Sequence, residues 1–288
     1  MAIRNNDPKN KKYESITAFI TSGFPETGKS TIMAGRVPID IDFEYHGHST
    51  TLVVFHAALS SKAKSLPMFA GRRLASKLPV NRLSISDPSL SLNDKLRLAW
   101  FAGNEKQPGL QSAISKIIRH ATSRDKKTIY FGASGGGFAA LQYAARHPGS
   151  ISVPINPQTD IARYNPISVA KWVSSAWPNF DSKNGKILPP VYTDVSIQYC
   201  RKRDVKVIYI QNTGDISHVR NHQKPFLRKI HSENFCKRID VNVGKGHVPP
   251  SPSFLFSILE RLVINDNIGS ISFEDLINAE EAKHSLNK

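Results

Sequence analysis

The chain has 288 residues, of which 40% are hydrophobic and 9% aromatic, and its formal net charge is +16. These proportions are typical of folded globular proteins and exclude a chain that is disordered over most of its length. No apolar run approaches the roughly 18 residues that a transmembrane helix needs, so none is predicted. The sequence starts with polar and basic residues and lacks the apolar segment of a secretory signal, so we expect a cytoplasmic protein.

The positive charge comes from 39 Lys and Arg against 23 Asp and Glu. Such an excess attracts anionic partners over about 8 Å at physiological ionic strength. An anionic glycan, an anionic lipid-like ester or an acidic membrane surface would all fit. The basic residues are spread along the chain and form no nucleic-acid-binding motif, so we expect no nucleic-acid partner, although the charge alone does not exclude one. Cys200 and Cys236 lack the spacing of a metal site, and we expect both to be reduced thiols.

The N-terminal part contains a motif that is typical of nucleotide-binding proteins. Residues 1–14 are predicted to form a flexible basic arm, and residues 15–21 a strand. The next eight residues, from Gly23 to Ser30, fit the phosphate-binding loop G-x-x-x-x-G-K-[ST]. Such a loop needs a long helix behind it, whose N-terminal amides hold the phosphates, but Gly35 and Pro38 interrupt the segment that follows. A loop between two early strands is therefore preferred, and nucleotide binding is the alternative.

Several segments then predict strands of one sheet. Residues 39–45 alternate between apolar and acidic side chains, which is typical of a half-buried strand in a mixed sheet. Residues 51–56 are almost continuously apolar and predict a central strand covered on both faces. A basic amphipathic helix is predicted over 67–78, and a further strand over 81–87. That strand ends at Asp87, which we interpret as a turn former before Pro88.

The segment 127–146 holds the clearest functional signal. Residues 128–131 favour a strand, and apolar residues recur at helical spacing from Phe138 onward. Between them, Gly-Ala-Ser-Gly-Gly at 132–136 matches G-x-S-x-G, which holds the central serine, Ser134, in a strained turn with its hydroxyl clear of the sheet. The free N–H groups of the following helix would stabilise an oxyanion beside Ser134.

This strand, turn and helix resemble the nucleophile elbow of the α/β-hydrolase superfamily, and residues 39–265 can be aligned with its order of elements. The resemblance implies an α/β protein with a mostly parallel central sheet flanked by helices. It also implies a hydrolase core at 15–157 and 201–268 and a cap inserted at 158–200. The last residues, 269–288, are predicted to be a C-terminal tail.

A serine nucleophile needs an imidazole to take its proton and a carboxylate to orient that imidazole. Asp215 and His247 each follow an apolar strand pattern, and the order Ser134, Asp215, His247 is the one this superfamily uses. The three are therefore the predicted catalytic triad. Asp160 also follows a strand and is the alternative acid. His218, in a stretch rich in Lys and Arg, is interpreted as a surface residue.

Other positions complete the predicted site. The oxyanion hole is assigned to Gly135 and to the loop after residues 51–56, where Ala57 replaces the usual glycine and either Ala57 or Ala58 would donate. Aromatic residues near these segments are predicted to contact substrate, at His56, Trp100, Trp172 and Trp177. For His56, a packed residue at the end of a strand is an equal alternative.

The sequence therefore predicts a serine-dependent enzyme that acts on an ester or related acyl bond through an acyl-enzyme, as an esterase or an acyltransferase. The basic surface and the aromatic cap favour an anionic glycan or lipid-like ester. No metal and no other cofactor are predicted, and the oligomeric state is open. Two other classes remain: a nucleotide-binding protein and a hydrolase-like binding module without activity.

Overall fold

The computed structural model describes residues 8–60, 65–180 and 188–285, and the backbone of Ile3–Arg4. A nine-stranded sheet forms its centre, with the order β9-β8-β7-β6-β4-β5-β3-β2-β1. The strands are β1 (Lys11–Tyr13), β2 (Gly28–Ala34), β3 (Val37–Glu44), β4 (Thr50–Phe55), β5 (Asn81–Ile85), β6 (Lys127–Ala133), β7 (Ser150–Ile155), β8 (Val205–Asn212) and β9 (Cys236–Val241). A second sheet pairs Ile3–Arg4 with Ser65–Leu66.

Strand direction divides the sheet into two parts. β3 runs antiparallel to both of its neighbours, β2 and β5. All other neighbouring strands of the nine are parallel. The carboxyl ends of β4, β6, β7, β8 and β9 therefore meet at one edge, as the sequence predicts for a mostly parallel sheet.

Helices cover both faces of this sheet. They are α1 (Ile16–Thr21), α2 (Arg72–Ala75), α3 (Leu110–Ala121), α4 (Gly135–Ala144), α5 (Pro166–Ala176), α6 (Ser196–Tyr199), α7 (Ile216–His218), α8 (Lys224–Lys229), α9 (Pro252–Ile264) and α10 (Glu274–Ser285). A π-helical turn, Val219–Gln223, joins α7 to α8. None of the helices in the described ranges is both long enough and apolar enough to span a bilayer.

The alternation of side chains along β4 separates two hydrophobic cores. Val53 and Phe55 pack on one face with residues of α3 and α4. Leu52 and Val54 pack on the other face with residues of α9. All six residues of β4 are buried, which explains the continuous apolar pattern of this segment.

Two predicted elements are wrong. Residues 15–21 form a helix, α1, because Ser15 caps its N-terminus by accepting a hydrogen bond from the N–H of Ala18. The helix predicted over 67–78 shrinks to the four residues of α2. The backbone N–H groups of Met68 and Ala70 instead donate to the hydroxyl groups of Ser86 and Ser84, which ties this segment to the end of β5.

Both terminal segments hold regular structure. Residues 11–13 of the predicted arm form β1 and pair with β2. In the predicted tail, the Glu280 carboxylate on α10 is buried and accepts hydrogen bonds from the N–H and the hydroxyl of Ser251, which caps α9. The proposed cap contributes α5 and α6, and its separation from the core stays a prediction.

Candidate active site

Ser134 lies on a sharp turn between β6 and α4 at the carboxyl edge of the sheet. Its φ of 57° and ψ of −116° are unfavourable for a residue with a side chain, so the backbone is strained there. The turn packs against the end of β4: a Cβ added to Gly136 would lie 2.8 Å from the carbonyl oxygen of His56 and closer still to that of Phe55. Glycine at position 136 is therefore required for this close approach.

Asp215 and His247 meet at the same edge of the sheet. Asp215 follows β8 and caps α7, where its Oδ1 accepts the N–H of His218 at 3.1 Å. The Nδ1 of His247, which follows β9, lies 2.6 Å from Asp215 Oδ2. Burial raises the pKa of Asp215, but the hydrogen bonds from His247 and from the His218 backbone outweigh burial and hold this pKa below its ordinary value. Asp215 is therefore a carboxylate at neutral pH.

Asp160 lies elsewhere and has different partners. Its carboxylate caps the short 3₁₀ helix Ile161–Arg163 and pairs with Arg163 at 3.1 Å. Burial and the nearby Asp194 raise its pKa. Of the two candidate acids, the structure brings Asp215 and not Asp160 to His247.

A second histidine contacts the same carboxylate. The His218 ring stacks on His247, with ring centroids 4.0 Å apart and planes inclined by 17°. His218 Nδ1 lies 2.8 Å from Asp215 Oδ2, but its N–H is not aligned with the oxygen, so it makes no hydrogen bond within the described chain. His218 is only 5% exposed, so its interpretation as a surface residue is wrong.

Gln158 connects Ser134 to this histidine. Its side-chain Nε2 donates to Ser134 Oγ at 2.7 Å and lies 3.1 Å from His218 Nε2. The indole N–H of Trp100 donates to Gln158 Oε1 at 3.1 Å, and an indole can only donate, so the orientation of the amide is fixed. His218 Nε2 therefore accepts from Gln158, and the ring proton of His218 is on Nδ1.

Burial, reinforced by the neighbouring imidazoles, keeps two histidines of this cluster neutral. It lowers the pKa of His218 to about 4, with a further contribution from His247. Burial also lowers the pKa of His222 to about 3, with a contribution from His218. Both rings are therefore uncharged near pH 7.

Sequence reasoning missed Gln158 and His218, although both follow the carboxyl ends of strands. Gln158 comes three residues after β7, and His218 comes three residues after Asp215. A search of every polar residue near those strand ends would have included them. Their contacts with Ser134 and Asp215 depend on the folded chain.

The loop after β4 lies beside the Ser134 turn through the contacts of Gly136. His56 is buried, and its ring nitrogens contact backbone groups: Nε2 accepts the N–H of Asp87 at 3.1 Å, and Nδ1 lies 2.8 Å from the carbonyl oxygen of Ala57. Burial lowers the pKa of His56 to about 4. These contacts fit the packed strand-end histidine better than a substrate contact. The donor roles of Gly135, Ala57 and Ala58 stay predictions.

The predicted aromatic contacts occupy different positions. Trp100 lies beside Gln158, and Trp172 packs edge-on against Trp100 with ring centroids 5.7 Å apart. Trp177 is 3.7 Å from a Cβ built at Gly103, outside this hydrogen-bonded cluster. All three indoles are at most 7% exposed, so their roles in substrate binding stay predictions.

Asp87 has a structural function that the sequence analysis did not assign. Its carboxylate accepts the N–H of Phe101 at 2.6 Å, and the Tyr143 hydroxyl donates to the Phe101 carbonyl at 2.7 Å. Both Trp100 and Phe101 have positive φ angles, 55° and 54°. Burial raises the pKa of Asp87 to about 6, although backbone hydrogen bonds from Phe101 and Ser89 oppose this rise. Asp87 thus holds the strained backbone that carries the Trp100 indole.

The competing phosphate-loop motif lacks the helix that it needs. Gly28, Lys29 and Ser30 begin β2, which pairs antiparallel with β3 along its length. Lys29 lies opposite Asp42 in this pairing. The segment therefore joins helix α1 to β2 and supplies the first residues of that strand, whereas the sequence predicted a loop between two strands.

Comparison with solved structures gives the name of this architecture. The structure matches the capsule O-acetyltransferase of Neisseria meningitidis serogroup A with a TM-score of 0.60 and 14% identity, over 85% of this chain and 98% of that chain. It matches an acylaminoacyl peptidase with a TM-score of 0.55 and 12% identity, over 87% of this chain and 44% of that chain. The chain has the α/β-hydrolase fold.

An S-formylglutathione hydrolase from Agrobacterium tumefaciens also has this fold, with a TM-score of 0.50 and 11% identity over 82% of this chain and 97% of that chain. No protein-family model matches the sequence. No curated protein matches it either. The strands of this chain place the predicted triad in the expected order: Ser134 follows β6, Asp215 follows β8 and His247 follows β9.

Proposed function

We propose that this protein is a serine-dependent enzyme that acts on an ester or related acyl bond through an acyl-enzyme on Ser134. The observation that carries the proposal is the joint position of a strained serine turn and an aligned Asp215–His247 hydrogen bond at one edge of the sheet. An imidazole held by a carboxylate is the group that a serine hydroxyl needs to become a nucleophile.

His247 is the proposed general base. Its Nδ1 donates to Asp215, which leaves Nε2 to accept the serine proton. His218 is a poorer base near pH 7, because its pKa is about 4 and its Nε2 already accepts from Gln158. Asp215 orients His247 and stabilises its charged form.

The proposed reaction has two halves. Ser134 Oγ bonds to the acyl carbon while its proton moves to His247 Nε2, and the negative charge passes to the acyl oxygen. That oxyanion faces the N–H of Gly135 and an N–H from the loop at Ala57 and Ala58. The bond to the leaving group then breaks, and this group takes the proton from His247. Water or an acceptor hydroxyl reverses these steps and releases the acyl group from Ser134.

Gln158 supports the first half of this reaction. Its N–H donates to Ser134 Oγ, so the hydroxyl proton of Ser134 is not used in that bond and remains available to the base. The same N–H stabilises the negative charge that develops on Oγ as the proton leaves.

Either acceptor, water or an alcohol, suits the same acyl-enzyme. The O-acetyltransferase of similar fold has also been solved in complex with CoA, with a TM-score of 0.59 and 16% identity over 79% of this chain and 94% of that chain. An acyl-CoA thioester is therefore the first donor to test. The +16 charge favours an anionic donor or acceptor, such as an acidic glycan.

A fluorophosphonate probe tests the proposed nucleophile without knowledge of the substrate. We expect one probe per chain, attached to Ser134 in a peptide map, and no attachment in Ser134→Ala. Acetyl-CoA should then give an acetylated Ser134 or free CoA. Absence of labelling on a folded protein would refute the serine mechanism and favour a binding module.

A further inference from the structure

The Asp215 carboxylate contacts two imidazoles, those of His218 and His247. Only the contact with His247 is needed to orient the proposed general base. Asp215, His218 and His247 offer ligand atoms that all lie within 4.8 Å of one another. Nδ1 of His247 and Nδ1 of His218 lie 2.6 Å and 2.8 Å from the same carboxylate oxygen. The second nitrogen is buried and makes no hydrogen bond within the described residues, although buried polar atoms usually have a partner.

These atoms match the ligand preferences of a divalent transition metal. Zn²⁺ binds imidazole nitrogen and carboxylate oxygen at about 2.0–2.2 Å, so ligand atoms on a tetrahedral ion lie roughly 3.3 Å apart. The two nitrogen–oxygen distances, 2.6 Å and 2.8 Å, are shorter than this by about 0.5–0.7 Å, and rotations of the Asp215 carboxylate and of the His218 ring would correct this. The His247 side chain is 38% exposed, which gives an ion a path from solvent.

We propose that Asp215, His218 and His247 form a Zn²⁺ site, with water as the fourth ligand. The two Nδ1 atoms already lie close to one carboxylate oxygen, so coordination needs rotation of the side chains, the stacked His218 ring included, to direct these atoms at the ion. The buried Nδ1 of His218 gains in the metal the partner that it lacks.

Zinc binding changes the tautomers of both rings. A neutral imidazole that coordinates through Nδ1 carries its proton on Nε2. His247 Nε2 then cannot accept the proton of Ser134, so zinc inhibits the enzyme; this second step rests on the proposed function, and the binding itself does not. A proton on His218 Nε2 would also face the N–H of Gln158, so the Gln158 amide must turn away from Ser134.

Isothermal titration calorimetry with ZnCl₂ tests the site directly. We expect one Zn²⁺ per chain in the unsubstituted protein and at least equal affinity in Ser134→Ala, because Ser134 supplies no ligand and its hydrogen bond with Gln158 is broken when zinc binds. Affinity should fall at least about tenfold in His218→Ala and in His247→Ala, because each change removes a ligand. His46→Ala is the matched control. It removes a histidine that also has a histidine neighbour, His48, but that is not one of the three proposed ligands. This change should leave the affinity for zinc unchanged.

Three outcomes would overturn the proposal: no zinc binding, unchanged affinity in His247→Ala, or loss of binding in His46→Ala. His247 is partly exposed, so its variant should fold even if that of the buried His218 does not. The visible absorption of Co²⁺ bound to the unsubstituted protein gives a further check, because octahedral coordination by water alone would contradict the site. Zinc binding in Ser134→Ala stays measurable even if the enzyme proposal fails, so the two failures are distinguishable.

Discussion

The turn at Ser134 and the loop at residues 23–30 both match a functional motif, and their surroundings differ. Ser134 stands between a buried strand and a helix whose N-terminus is beside it. Ser30 lies within β2, and strand pairing with β3 takes the place of a phosphate-binding helix. A glycine-rich motif with one reactive residue forms a functional site only when the backbone behind it presents N–H groups to the ligand.

Substitutions in the predicted triad should have the largest effect on activity, and substitutions in the loop at residues 23–30 should have almost none. Ser134→Ala or His247→Ala should lower kcat by about 10⁴-fold or more with little change in stability, because each removes a group from the reacting set. Asp215→Asn should have a comparable effect, since it favours the wrong tautomer of His247. Turnover of the first substrate found by acyl-donor screening is the measurement. Full activity in Asp215→Asn together with inactivation by Asp160→Asn would contradict the assignment of the acid.

A pair of glycine variants compares the packing of the two motifs. Gly136→Ala should lower the free energy of unfolding by about 3 kcal/mol, because its methyl group meets backbone oxygens of Phe55 and His56 that cannot move aside. Gly23→Ala should cost about 1 kcal/mol, since no atom lies within 4 Å of the new methyl and only the φ of +95° is unfavourable. Urea unfolding measures both. Equal losses would show that the close contact at the Ser134 turn is relieved by backbone movement.

Substitutions at Gln158 and Trp100 test whether the hydrogen bond to Ser134 affects the reactivity of this serine. Gln158→Ala should slow acylation of Ser134 by about 10²-fold, because a hydrogen-bond donor to the reacting oxygen is lost. Trp100→Phe keeps most of the ring and removes the indole donor that orients the amide, and we expect about a tenfold decrease. The rate of fluorophosphonate labelling measures both, with the melting temperature as a control for folding. An unchanged rate of labelling in Gln158→Ala would mean that the hydrogen bond from Gln158 does not affect the reactivity of Ser134.

The smallest expected effect lies in the loop at residues 23–30. Lys29→Ala should change stability by less than about 0.5 kcal/mol and leave the activity unchanged, since Lys29 lies on a strand next to the sheet edge without a helix behind it. Thermal shifts with MgATP and MgGTP check the nucleotide alternative. A nucleotide-dependent shift that disappears in Lys29→Ala would establish a site that the backbone geometry does not predict.

Local patterns predicted the parts of the fold that depend on local physics. The continuous apolar run at residues 51–56 located β4 within one residue, because a strand that is buried on both faces carries apolar residues without alternation. The strand predicted at 15–21 was wrong because the cap at Ser15 was not recognised. At 67–78, hydrogen bonds to Ser84 and Ser86 override the helical pattern, and these partners are distant in the sequence.

The site shows the same limit. Ser134, Asp215 and His247 were predictable as candidates because each follows a strand and the fold has a known order. Nearby charges made His218 resemble a surface residue, and its burial depends on packing against His247 and Tyr164. Gln158 has three side-chain partners, which lie 24, 58 and 60 residues away, so no local pattern could have identified its role.

The two consecutive left-handed residues, Trp100 and Phe101, connect a distant part of the fold to the hydrogen bond that Ser134 receives from Gln158. Each left-handed residue with a side chain stores about 1–2 kcal/mol, and Asp87 and Tyr143 hold that conformation through the backbone of Phe101. The indole that orients Gln158 is therefore supported from β5 and α4. Substitutions at Asp87 or Tyr143 should therefore change the hydrogen bond that Ser134 receives without replacing Ser134, Gln158 or Trp100.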